Sequence, residues 1–136
     1  MTTIYDLATA LKSDPQQIAD TQALTLDTSR PSIGLSGAYG LFASDDWWEN
    51  LKTGIIPTRS YSGVIESVRF EGMHNEGRGF TMKLDEDGTY EYSCVANDKR
   101  DLKLHRPGVR LRVTTYLDKM KNGSEMEFVW LIQVPE

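Results

Sequence analysis

Covalent chemistry in this chain would have to come from its single cysteine, Cys94, working with one of its two histidines, His74 or His105, as a thiol activated by an imidazole. Cys94, however, falls in phase with Tyr90 and Tyr92, where a small apolar core residue belongs. Neither histidine sits in a nucleophile motif, so no catalytic residue is assigned. A lone cysteine also excludes an internal disulfide and a cysteine-based zinc cluster. A metal would need His74, His105, Glu76, Asp98 and Asp101 to converge, and their spacing matches neither a calcium loop nor a zinc motif. Asp85-Glu86-Asp87 is acidic but fills a tight turn, where solvated charge is ordinary. Gly34, Gly37 and Gly40 precede no Gly-Lys-Ser/Thr and follow no strand, so they do not make a phosphate loop. No metal and no cofactor are expected.

Recognition chemistry is better represented. Trp47-Trp48 is the most unusual dipeptide: helical spacing buries Trp47 beside Leu51 and turns Trp48 elsewhere, either under the glycine-rich loop or toward a partner. Lys99, Arg100, Lys103, Arg106, Arg110 and Arg112 interrupt an otherwise acidic chain of net charge −5. Arg69, Arg110 and Arg112 take the outward phase of their strands, with Tyr116 nearby. That is either a solvated face or a basic face for a polyanion or an acidic protein. Glu66, Glu71, Glu91 and Glu127 share the same surface and weigh against nucleic acid.

The elements that would position these residues follow from periodicity. Thr3 to Leu11 reads as a helix with an Ile4, Leu7, Ala8, Leu11 stripe. Asp14-Pro15 starts a second, near Gln16 to Ala23. Leu24 to Ala43 has no period, and its length without structure points to function or disorder. Ser44 to Thr53 is a helix with acids in its first turn and Lys52 in its last. Five alternating runs follow: Gly63–Gly72, Phe80–Leu84, Tyr90–Val95, Val109–Leu117 and Met126–Val134. Asp87-Gly88 and Asn122-Gly123 mark hairpins. Phe128 to Ile132 is apolar on both faces, so Val129 and Leu131 need cover from the N-terminal segment or a second subunit.

The sequence therefore predicts a mainly β fold. It would be a five-stranded antiparallel small barrel over residues 59–136, with an N-terminal helical and loop extension, residues 1–58, packed outside. The stretch from Leu104 to Val113, a turn closing on glycine before an alternating strand, resembles OB-fold and SH3-like barrels in architecture, over the second half of the chain. No basic leader precedes an apolar stretch, and no segment reaches the ~18 apolar residues of a membrane span. Cytoplasmic location and no membrane partner are expected. The favoured function is a non-catalytic binding or interaction module, with a protein partner or self-association. A nucleic-acid-binding barrel and a small-molecule binder or enzyme are the alternatives. The expected working surface joins Tyr39, Trp47 and Trp48 to the loops Met73–Gly79 and Ala96–Arg106. Its binding residues would be Tyr39, Trp47, Trp48, His74, Asn75, Arg78, Arg100, Arg106, Arg110 and Arg112.

Overall fold

The computed structural model describes residues 1–71 and 77–135. Strand β1 (Thr2–Asp6) is followed by helices α1 (Leu7–Ser13), α2 (Pro15–Leu26) and α3 (Asp45–Lys52). Then come β2 (Thr58–Glu71), β3 (Gly77–Leu84), β4 (Thr89–Ser93), a 3-10 turn (Lys99–Leu104), β5 (Arg110–Lys119) and β6 (Glu125–Val134). Among the described residues the strands form one mainly antiparallel six-stranded sheet in the order β1-β6-β5-β2-β3-β4. Both Asx-Gly turns are in place, with Gly88 and Gly123 at φ of 99° and 88°, a region costly for residues with a Cβ.

The mainly β class holds, but two expectations are corrected. The first helix expected at Thr3–Leu11 begins only at Leu7. Thr2 to Asp6 instead pairs antiparallel with β6, setting Thr2 opposite Val134 and Asp6 opposite Leu131. Thr, Ile and Tyr suit a strand, and an available sheet edge outweighs a weak helical stripe. The five-stranded closed barrel is also replaced. The added strand occupies the edge of β6 and leaves β1 and β4 at the two ends of an open order. Val129 is only 6% exposed in the single chain and Leu131 is half-buried, while β1 covers the edge of the strand rather than its face.

The chain divides into two compact units. The first comprises Met1–Leu7, Ser60–Thr114 and Trp130–Glu136. Its core holds Ile4, Leu7, Ile65, Phe80, Met82, Leu111, Val113 and Ile132. The β2–β3 register shifts between Ile65 and Ser67, so Glu66 is an extra residue that resets the alternation. Ile65 opposite Met82 and Val68 opposite Phe80 thus share the core side, whereas strict alternation over three residues would put them on opposite sides. Gly63 lets the two backbones close up: a Cβ there would collide with the Lys83 carbonyl oxygen.

The second unit comprises Ala8–Arg59 and Thr115–Val129. Leu11, Leu35, Phe42, Trp47, Leu51, Ile56, Tyr116 and Val129 are buried in it. Ser44 caps α3 by accepting from the Trp47 amide at 3.3 Å, with Asp45 and Asp46 in the first turn as the helix dipole favours. Helix α2 opens on Asp14 and Pro15 as expected and buries none of its residues. Its end is held instead by Lys121, whose ammonium donates to the carbonyls of Leu24 (2.5 Å), Asp27 (3.1 Å) and Arg30 (3.1 Å). Lys121 thereby caps carbonyls that a helix C-terminus leaves over.

Candidate protein-interaction surface

The aromatic residues of the expected surface lie in the second unit. Trp47 is fully buried, so it is a support and not a contact. Its ring makes edge contacts with Phe42 (5.0 Å), Trp48 (4.9 Å) and Tyr116 (5.2 Å), and Tyr116 stacks on Phe128 at 5.3 Å. The indole N–H donates to Asp118 Oδ2 at 3.1 Å, and the other carboxylate oxygen accepts from the Lys119 amide at 2.8 Å. This gives a buried acidic side chain two donors, as burial demands. Tyr116, expected to face outward, is only 3% exposed. The alternation along β5 changes phase there: Leu111, Val113 and Thr115 are buried, then Tyr116 and Asp118.

What this cluster presents outward is Trp48 and Tyr39, both half-buried. The Tyr39 carbonyl accepts from Asn50 Nδ2 at 3.0 Å, and Lys119 Nζ sits 5.7 Å from the ring centroid. Both aromatics are therefore fixed by neighbours, which lowers the entropy cost of contacting a partner.

The arginines belong to the first unit. Arg110 makes a forked pair with Asp85, at 2.8 and 2.6 Å, and Arg112 reaches Ser60 Oγ at 3.4 Å. Arg100 is clamped onto Asp98 across 2.7–3.2 Å, which pulls that carboxyl's pKa down to about 2. Arg78 lies over the Phe70 ring at 5.4 Å, and Arg106 is exposed. Two of the expected anion-binding arginines, Arg100 and Arg110, are thus already engaged with acids of this chain. His74 and Asn75 lie outside the described residues.

His105 ends the 3-10 turn and is 4% exposed. It stacks on Phe80 at 5.3 Å, and Nε2 lies 2.9 Å from the Val95 carbonyl, to which its N–H donates. Nδ1 is buried without a hydrogen-bond partner. Burial pushes its pKa below the ordinary histidine value, an effect the Val95 contact partly offsets. Burial likewise raises the phenols of Tyr5 and Tyr92. Among the described residues no group of three or more His, Cys, Asp and Glu side chains could hold a metal ion. No helix among them is long and apolar enough to cross a membrane. The described side chains offer aromatic faces and paired charges.

Three residues that matter here escaped the sequence. Asp118 and Lys121 sit on β5 and the turn after it, 71 and 97 residues from Trp47 and Leu24, and local patterns carry no signal at that distance. Phe70 alternates with Val68 on one side of its strand, as a core residue would, yet it is 61% exposed.

Compared with known protein families, residues 1–129 match the model described as immunity protein RhsI2. No curated protein matches the chain.

Proposed function

The chain belongs to the RhsI2 immunity-protein family, and from that premise we propose that it neutralises a cognate toxin protein by binding it, without covalent chemistry. The observation that carries this reading is the extent of the match, which takes in most of both compact units. Protein recognition also suits the side chains at hand, because half-exposed aromatics and arginines are the residues that dominate binding energy at protein interfaces. Tyr39 and Trp48 in one unit, and Arg78, Arg100, Arg106 and Arg112 in the other, are the proposed contacts. Arg110 contributes through the Asp85 pair, which steadies the β3–β4 turn.

The test is co-expression of the toxin with this chain, followed by gel filtration of the purified pair. Restored growth together with a co-eluting complex is the expected result. Trp48→Ala should weaken that complex about tenfold or more while the chain stays folded, with a lower melting temperature because the ring also packs on Trp47. Growth that stays arrested despite abundant folded protein would overturn the reading. Rescue without any complex would too, because it would require chemistry on the toxin or its substrate.

A further inference from the structure

Phe70 is the one exposed aromatic side chain among the described residues. Its position explains why. After the Glu66 bulge, Val68 and Phe70 keep the core-facing alternation of β2. Val68 meets the buried Phe80 across the strands, but Phe70 meets Arg78, one rung from the end of the described β2–β3 ladder. The Ile65 amide donates to Val109 at 2.9 Å, and β5 begins at the next residue, Arg110. Residues 66–71 of β2 therefore run past the start of β5, and from Ser67 onward they pair with β3. On the β4 side, the Cys94 amide donates to the Arg78 carbonyl at 2.7 Å. Phe70 and Arg78 thus lie on a paired stretch of β2 and β3 that continues beyond the buried Phe80 rung.

The connection that leaves β4 is basic on balance, although β2 and β4 also bring acid to this end of the sheet, in Glu71 and in Glu91, which pairs with Arg69 at 3.8 Å. The connection leaving β4 brings Lys99, Arg100, Lys103 and Arg106 against Asp98 and Asp101. Asp98 is spent on Arg100. His105 ties this connection to β3 through Phe80, two residues from Arg78.

We propose that the Phe70–Arg78 pair is the anchor by which this chain docks its toxin, inserting an aromatic ring into an apolar pocket whose rim carries carboxylates. This rests on the toxin-binding reading above and names the contact that dominates it. Arg78 over the ring holds the aromatic in place before the encounter and offers its guanidinium to the acidic rim. The surrounding lysines and arginines speed association with an acidic face and make it salt-sensitive.

The experiment is titration of purified toxin with the full chain and its variants, by calorimetry and by surface plasmon resonance at two salt concentrations. Phe70→Ala should weaken binding about 30-fold or more with an unchanged melting temperature, since the ring is exposed. Phe70→Leu should recover part of that loss. Arg78→Glu should slow association, most at low salt. Binding within about threefold of the unaltered chain for both Phe70→Ala and Arg78→Ala, each folded, would overturn this anchor and leave toxin binding intact. An unaltered chain that fails to bind the toxin would overturn both. Should Phe70→Ala not fold, Arg78→Ala and Arg78→Glu decide the matter alone.

Discussion

At the scale of single residues, two of the buried polar side chains, Asp118 and His105, divide the work between packing and pH. Trp47→Phe keeps a ring in the aromatic cluster but removes the indole N–H from Asp118. The expected loss is about 1.5–3 kcal/mol in chemical denaturation, the cost of withdrawing a donor from a buried acidic acceptor. His105 gives a pH dependence of definite sign. Its folded pKa lies below that of the unfolded chain, so its contribution is full above the ordinary histidine pKa of about 6.5 and is lost as pH falls below it. The melting temperature should therefore drop between pH 7 and pH 5. His105→Phe, which can still stack on Phe80, should flatten that slope in thermal scans followed by circular dichroism. Little of this was legible in the sequence. The pairing of Trp47 with Leu51 could be read from helical spacing, and both are buried. The acid that meets the indole could not, because it arrives from another strand.

At the scale of elements, local chemistry was legible where a residue type permits a particular backbone. The Asx-Gly turns, the Ser44 cap, and Asp14-Pro15 all sit where those residues place them. Alternation failed where the ladder is irregular. An inserted residue at Glu66 sends every later side chain of β2 to the other face, so Ile65 and Val68 could not be seen as core partners. At Gly63 the neighbouring β3 backbone leaves no room for a side chain. Gly63→Ala would push a methyl group into the Lys83 backbone, and we expect a loss of about 2–4 kcal/mol in denaturant unfolding. Lys121 is the corresponding fastener of the second unit. Lys121→Met leaves three carbonyls without their donor. Backbone amides between residues 27 and 34 should then exchange faster, at a cost of about 1–3 kcal/mol in stability.

At the scale of the molecule, composition excluded little and the sheet's edge decided much. The second half announced its strands because one wet face and one dry face make a period of two. The first strand was missed because its partner is at the opposite end of the chain, and only the pairing makes it a strand. Removing residues 1–6 should uncover the edge of β6, whose run from Phe128 to Ile132 is apolar on both faces. The shortened protein should scatter light and aggregate during refolding at concentrations where the intact chain stays clear.

The same pairing constrains the order of folding. The Gln133 side chain donates to the Thr3 hydroxyl across 130 residues of chain, so this junction is about as non-local as the chain permits. During synthesis a ribosome would expose Thr2 to Asp6 long before any strand exists to receive them. The hairpins can zip early, but the seam between first and last strands is sewn late. A stalled or slowly made chain would meanwhile carry an unclaimed ribbon, open to whatever chaperone or neighbouring nascent chain reaches it first.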